Sequence, residues 1–386
     1  MKYVYDEGRL SKRKLKKMGD FMDFQKIGFI GLGLIGGSIA KKIHALYPEI
    51  SLIATAGHEE TIREAYEEHL IENETRCGID AFYDCDYIFL CTPVQKNLEY
   101  LRQLKGHIKK GCIITDVGSV KTDIHEEVIA LDMEDCFIGG HPMTGSEKTG
   151  LANAKDYLLE NAYYIITPTT KTSPEQLERF RKLVVSLGSA ALVLDYKLHD
   201  YATAAISHLP HIIAYSLVNL VRESDDENET MKTIAAGGFR DLTRIASSSP
   251  VMWQNICESN STQIVRLIDN YVEMLEKTRQ DIVDSNEQAL LDSFQAAKDY
   301  RDSITIPNRG PIREIYELYL DLLDEAGGIA TVATILASNN LSIKNIGIIH
   351  NREFEGGVLR LEMYDRPSLD SAVTLLRRHH YTIYVR

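Results

Sequence analysis

The feature that most limits how this chain can fold is a run of glycines directly behind a short apolar stretch: Lys26-Ile27-Gly28-Phe29-Ile30-Gly31-Leu32-Gly33-Leu34-Ile35-Gly36-Gly37-Ser38. The GxGxxG spacing falls on Gly31, Gly33 and Gly36. Gly31 permits a tight turn, Gly33 lets the backbone approach a pyrophosphate, and Gly36 allows a helix to lie close on the strand. Leu34 and Ile35 open that helix, whose free N–H groups face the anion. A strand in front and an amphipathic helix behind give the motif its meaning. Together they predict a dinucleotide-binding unit of the Rossmann type.

An acidic residue about twenty positions further on normally holds the adenosine ribose. The stretch Ile53-Ala54-Thr55-Ala56-Gly57-His58 has none before Glu59 and Glu60. Without a carboxylate to repel it a 2′-phosphate is tolerated, with Thr55 and His58 as its partners, so the choice between NAD and NADP stays open here.

From 26 to about 195, short apolar runs alternate with longer amphipathic ones, the pattern of a mainly parallel α/β sheet. Strands are expected at 26–30, 52–56, 87–91, 112–116, 136–139, 163–167 and 191–194. Helices are expected between them, including 36–46 and a helix at 174–187 that starts at Pro174 with Ser173 as its cap. Beyond about 196 the pattern becomes long helices, 202–222 and one or two more within 261–300, separated by an acidic loop at 223–229. The prolines and glycine of Ile304-Thr305-Ile306-Pro307-Asn308-Arg309-Gly310-Pro311 mark a linker. The remainder reads strand 315–322, helix 328–338, strand 343–350, strand 357–363, helix 368–379 and strand 381–385, a ferredoxin-like α+β order. The expected division is therefore a tail (1–25), a Rossmann domain (26–195), an all-α domain (196–305), and a linker with a ferredoxin-like module (306–386).

Composition narrows the function. A net charge of −13 disfavours attraction to nucleic acid or anionic membrane, and no run of about eighteen apolar residues suggests a membrane span. The basic cluster Lys12-Arg13-Lys14-Leu15-Lys16-Lys17 lacks the apolar segment of a leader and reads as a solvated tail. Six scattered cysteines without a CxxC pair indicate reduced thiols and a cytoplasmic setting. With no HExxH and no close ligand triad, no metal is expected.

Ligands in such a sheet gather beyond the carboxyl ends of the strands. Three polar loops fall there: Cys91-Thr92-Pro93-Val94, Asp116-Val117-Gly118-Ser119-Val120-Lys121, and Gly139-Gly140-His141-Pro142-Met143-Thr144-Gly145-Ser146-Glu147-Lys148. Taken singly each could be an ordinary turn; three after consecutive strands indicate a site.

In order along the chain, GLGLIGGS, DVGSVK, GGHPMTGSEKTG, SHLPH and GGFRDLTRIA closely resemble the prephenate and arogenate dehydrogenases, and the tail from about Ile312 resembles an ACT domain. The resemblance implies oxidative decarboxylation of a cyclohexadienyl alcohol with a nicotinamide cofactor, in a homodimer joined through the helical domain. It implies His141 as general base with Ser119 as its hydrogen-bonding companion near the nicotinamide. Arg244 would clamp a substrate carboxylate. His211, and less directly His208, would line the substrate side, Glu147 would belong to a gate, and Arg240 and Asp241 would reach the site from the other subunit. Cofactor contacts are expected from Gly31, Gly33, Leu34, Ile35, Gly36, Thr55, Thr92, Pro93, Val94, Gly118 and Ser119. Trp253 is expected to pack in the helical interface.

The substrate implied first is prephenate, with arogenate as the alternative. A β-hydroxyacid dehydrogenase is disfavoured because its helix lysine motif is missing, and a non-catalytic nicotinamide and amino-acid sensor is the rival outside enzymes. In the tail, Leu322-Leu323-Asp324-Glu325-Ala326-Gly327-Gly328 stands where ACT domains bind an amino acid. Asp324, Gly327 and Gly328 are thus expected to meet tyrosine, the end product, as an effector.

Overall fold

The computed structural model describes residues 24–145, 148–304, 316–322, 327–349 and 357–385. The chain divides into two compact units, Met1–Thr305 and Ile306–Arg386.

The first unit begins with β1 (Lys26–Ile30), α1 (Leu34–Leu46), β2 (Ser51–Thr55), α2 (Glu59–Glu67), β3 (Tyr87–Leu90), α3 (Val94–Leu104), β4 (Ile113–Asp116) and α4 (Thr122–Ala130). Its four strands are parallel, in the order β2-β1-β3-β4. Near-continuous apolar runs such as Tyr87-Ile88-Phe89-Leu90 are fully buried because helices cover both faces of a parallel sheet. One face packs Ile27, Phe29, Ile39 and Leu52; the other packs Ile30, Ile88, Leu90 and Ile114.

Three more strands, β5 (Ile138–Pro142), β6 (Tyr163–Pro168) and β7 (Ala190–Val193), form a sheet in that order, with α5 (Pro174–Ser186) between the last two. A single parallel bridge, Ile114 to Phe137, joins it to β4. Here the expected parallel pattern is broken, since β6 runs antiparallel to β5. A parallel return needs a crossover, usually a helix, and among the described residues of the intervening segment, which include Gly145 and Gly150, the helical structure is one short turn at Leu151–Asn153. The helix α5 carries the expected Ser173 cap as a full capping box: Gln176 N–H donates to Ser173 Oγ and Ser173 N–H to Gln176 Oε1.

Strand β5 also runs three residues past its expected end. Gly139 and Gly140 look like a breaker, yet they are interior strand residues required by close approach. A Cβ on Gly139 would stand 2.2 Å from Thr167 Oγ1, and one on Gly140 2.7 Å from the Asp116 carbonyl. His141 therefore sits on a strand, opposite Ile165, and not on a loop.

The helical part comprises α6 (Tyr196–Thr203), a wider π turn (Ala204–His208), α7 (Leu209–Ser224), α8 (Thr230–Ile234), α9 (Gly237–Thr243), α10 (Pro250–Ser259), α11 (Ser261–Val283) and α12 (Glu287–Ser303). Asp195 caps α6 by accepting from Lys197 and Leu198 N–H. The expectation that no helix suits a membrane needs correcting: by length and composition the run Tyr196–Ser224 could cross one. It nevertheless buries charged Asp200 against the Rossmann part. Many large apolar side chains on these helices are exposed in the single chain, among them Ile206, Leu242, Met274 and Phe294.

The second unit is β8 (Tyr316–Leu322), α13 (Gly328–Ala337), β9 (Ile343–Ile349), β10 (Gly357–Met363), α14 (Arg366–Arg378) and β11 (Ile383–Val385). The strands pair antiparallel in the order β11-β8-β10-β9, the ferredoxin-like arrangement that the alternation predicts. Leu318, Leu320, Val332, Leu336, Leu361 and Leu376 build its separate core.

One buried ion pair organises the loops at the sheet's carboxyl edge. Lys121 and Asp116 are both inaccessible and directly paired. Asp116 Oδ2 also accepts from Gly118 N–H (2.9 Å) and Oδ1 from Gly140 N–H (3.2 Å). Removing one member of a buried pair leaves an uncompensated charge and costs about 3–5 kcal/mol. We expect Asp116→Asn to lower the unfolding free energy by that order, read as a lower denaturant midpoint at unchanged slope; an unchanged midpoint would show that the pair does not hold these segments.

Candidate active site

The glycine turn has the geometry that its three tasks require. Gly31 lies at φ +104°, a left-handed conformation in which a side chain would also strike the Cys91 backbone at 2.7 Å. A Cβ on Gly36 would meet the Gly31 carbonyl at 2.4 Å, whereas one on Gly33 would point into open space. The cradle is thus tight where helix meets strand and open where a phosphate would approach. Gly33, Leu34 and Ile35 are the partly exposed residues of this turn. Thr55, at the end of β2, is buried and its carbonyl accepts from Gly31 N–H at 2.8 Å, so it supports the turn from below.

Five other residues expected at the cofactor come together. Thr92, Pro93, Val94, Gly118 and Ser119 line a cavity of about 560 Å3, closed on its far side by α10 residues such as Met252 and Asn255. Buried Asn97 shapes the first of these loops: its Oδ1 accepts from Thr92 Oγ1 (2.5 Å) and N–H (3.3 Å).

His141 is buried, about 9% exposed. Its expected companion was Ser119, but Ser119 faces the cavity and His141 is engaged elsewhere. His141 Nδ1 lies 2.8 Å from His199 Nε2. His199 Nδ1 in turn lies 2.7 Å from Asp200 Oδ1. Asp200 further accepts from Lys121 N–H (2.8 Å), Thr122 N–H (2.7 Å) and Thr122 Oγ1 (2.5 Å), at the start of α4. Burial alone would raise the Asp200 carboxyl, but the hydrogen bonds from His199 and Thr122 hold it below the ordinary value. His141 is pushed well below 6.5, first by burial and then by His199, Lys121 and His208.

A second group lies along α7 and α10. His211 stacks on Trp253 with ring centroids 3.6 Å apart, and its Nε2 is 3.2 Å from Ser248 Oγ. Burial and, less strongly, the Arg244 guanidinium lower the pKa of His211; Arg244 itself is exposed, next to Ile245 and Ala246 of the cavity that His211 lines. His211, Tyr215, Ser248 and Trp253 line a cavity of about 450 Å3. His208 is buried on the other edge of Trp253 and accepts at Nδ1 from Asn260 Nδ2 (3.2 Å). Arg240 and Asp241 are exposed on α9. Glu147 lies outside the described residues, and no group of three or more metal-ligating side chains occurs among those described.

The reading from sequence missed His199, Asp200, Thr122 and Asn260. A signal existed: His199-Asp200 begins an otherwise apolar helical run, where buried polar residues are informative.

Residues 39–193 match the family model described as prephenate dehydrogenase, nucleotide-binding domain, and residues 195–296 match its dimerization domain. Similar proteins include the prephenate dehydrogenase of Bacillus subtilis, 38% identical and covering 86% of this chain and 90% of the relative. That of Lactococcus lactis is 35% identical, covering 92% and 98%. The chain belongs to the prephenate dehydrogenase family. Among solved structures, Aquifex aeolicus prephenate dehydrogenase with hydroxyphenyl propionate and NAD+ is 29% identical, with a TM-score of 0.68 over 73% of this chain and 99% of that one. Synechocystis arogenate dehydrogenase is 32% identical, with a TM-score of 0.66 over 72% and 99%. Family membership explains why glycine cradle, histidine and helical wall occur together.

The buried imidazoles make stability depend on acidity. His125 and His208 are both pushed down to about 4, chiefly by burial, from an ordinary 6.5. Below 6.5 the unfolded chain binds protons that the folded chain refuses. Stability is therefore full above that value and falls progressively toward about 4, by on the order of a few kcal/mol. Melting temperatures measured across this range should drop with acidity, and less steeply in His125→Gln; parallel curves would contradict the assignment.

Proposed function

We propose that this chain oxidises and decarboxylates prephenate to 4-hydroxyphenylpyruvate with NAD, as a cytoplasmic homodimer. The observation that carries the reading is His141: buried on a strand, held at Nδ1, and with no protein partner at Nε2 among the described residues. The same Asp116 carboxylate holds both its neighbour Gly140 and Gly118 of the cofactor cavity. The open cradle at Gly33 suits a dinucleotide pyrophosphate, and the Aquifex relative holds NAD+. When bound, the nicotinamide accepts a hydride from the ring carbon that bears the hydroxyl.

The protein's own part is proton movement and orientation. His141 Nε2 takes the hydroxyl proton as hydride leaves, giving a dienone whose quaternary carbon carries a carboxylate. The C–C bond to that carboxylate breaks, carbon dioxide departs, and its electron pair enters the ring to make a phenolate. Returning the proton from His141 to that oxygen gives the phenol and restores the base, so no proton is left over. Arg244 grips a substrate carboxylate beside His211, and burial of the base excludes water. The exposed apolar side chains of the helical part supply the dimer interface, from which Arg240 and Asp241 would reach the partner's site, and Glu147 would belong to the gate over the substrate.

Absorbance of reduced cofactor on mixing the protein with NAD and prephenate tests the reading, with arogenate and NADP as parallel arms. We expect His141→Asn to lower turnover by about a hundred- to ten-thousand-fold with cofactor affinity nearly unchanged. Wild-type turnover in that variant would remove the assigned base, and no absorbance change in any arm would favour a sensor.

The second unit is assigned as an ACT-type sensor for tyrosine. Gly327, at φ +94°, stands just before α13, and Gly328 opens it; Asp324 lies outside the described residues. Calorimetry should show tyrosine binding to the full chain and not to a chain ending at Thr305. Equal binding to both would place the effector elsewhere.

A further inference from the structure

Several buried or concave features lie outside the assigned chemistry. The cavity of about 620 Å3 near Lys109 and Lys110 sets surface amines among the carboxylates of Asp132 and Asp135, and Lys109 is already paired with Asp86. The apolar helical surface belongs to the family's dimerization domain. The three groups ending at His141 carry an inference further than either.

We propose that His199 and Asp200 form a relay that fixes the tautomer of His141 and shares the charge His141 gains in catalysis. The inference rests on His141 being the base, and deepens that reading.

The argument follows protons along the chain of bonds. Asp200 is held as a carboxylate and can only accept, so His199 Nδ1 must donate to it at 2.7 Å. With one proton on its ring, His199 has a bare Nε2. That nitrogen lies 2.8 Å from His141 Nδ1, which must therefore donate. A single proton on His141 at Nδ1 leaves the lone pair at Nε2, the atom without a partner among the described residues and the one a base requires. Reversing His141 to the other tautomer would put two bare nitrogens against each other.

The relay also answers an energetic difficulty. Burial first, and then the neighbouring His199 and Lys121, make the imidazole at 141 a poor proton acceptor unless the charge it gains is passed on to an anion. As the substrate proton arrives at Nε2, positive charge spreads through His141 and His199 toward the Asp200 anion. Asp200 is suited to this because its remaining lone pairs are satisfied by Lys121 and Thr122 and its backbone carbonyl by Asn260 Nδ2, at 2.9 Å. Thr203 Oγ1 donates to the His199 carbonyl (2.8 Å), and both residues are inaccessible to solvent. The π turn Ala204–His208 begins directly after this segment, and such turns often accompany functional sites. His199 and Asp200 are thus positioning residues that act through His141.

A double-mutant cycle in the full-length protein decides the matter, with thermal melting and NAD affinity as controls. His199→Phe removes the acceptor at similar shape and should lower kcat by about a hundred- to ten-thousand-fold, leaving NAD affinity within a few fold. Added to His141→Asn it should cost almost nothing more, because the two act as one unit. His199→Gln keeps an acceptor near the Nε2 position and should recover part of the loss, and it carries the same cycle should His199→Phe not fold. Asp200→Asn should lower the kcat plateau and move its acidic limb to lower pH. The other charged or titratable groups facing the pair, Lys121, Asp123, His125, His208 and Asp116, stay in place. Additive losses in the cycle, or full kcat in a folded His199→Phe protein, would overturn the relay. Full kcat in His141→Asn would instead overturn the base itself.

Discussion

A single buried carboxylate, Asp200, ties the two halves of the first unit together. It begins the long helical run yet spends its oxygens on the first turn of α4, in the Rossmann part, and on the neighbouring imidazole of His199. An anion at a helix start is favoured by free N–H groups and by the helix dipole. The same contact that docks helix onto sheet therefore also aims a ring at His141. Docking and chemistry share one set of hydrogen bonds, so the proposed base can be aligned only when the helical part is seated.

Asp116 has a parallel role one layer away. Its buried pairing with Lys121 is expensive to desolvate, and in return both carboxylate oxygens hold backbone, Gly118 of a loop on one side and Gly140 of β5 on the other. Two charged residues within the DVGSVK segment thus set the spacing between the cofactor cavity and the strand that carries His141. Lys121 connects the two carboxylates, since its ammonium meets Asp116 and its backbone N–H meets Asp200.

Much of this was legible in the residues. Gly31, Gly33 and Gly36 announce their turn because each answers a local steric demand, and local demands are written locally. The ferredoxin-like order of the second unit was readable for the same reason, through alternating periodicities. Gly139-Gly140 misled because a glycine required by a distant neighbour looks the same as one required by a turn; only the proximity of Thr167 and the Asp116 carbonyl tells them apart. The antiparallel return of β6 depended on a helix that failed to form. His199 stayed hidden because its partners lie 58 residues away in one direction and one residue away in the other, and only the fold brings the distant one into reach.

The glycine pair in β5 has a wider consequence. With no room for a Cβ at 139 or 140, the backbone under His141 is closed to gradual change by substitution. The cavities on the helical side are lined by α7 and α10 side chains such as His211, Tyr215 and Met252, where substitution meets no such backbone limit. Change can thus accumulate on the helical side while the strand that carries His141 keeps its backbone.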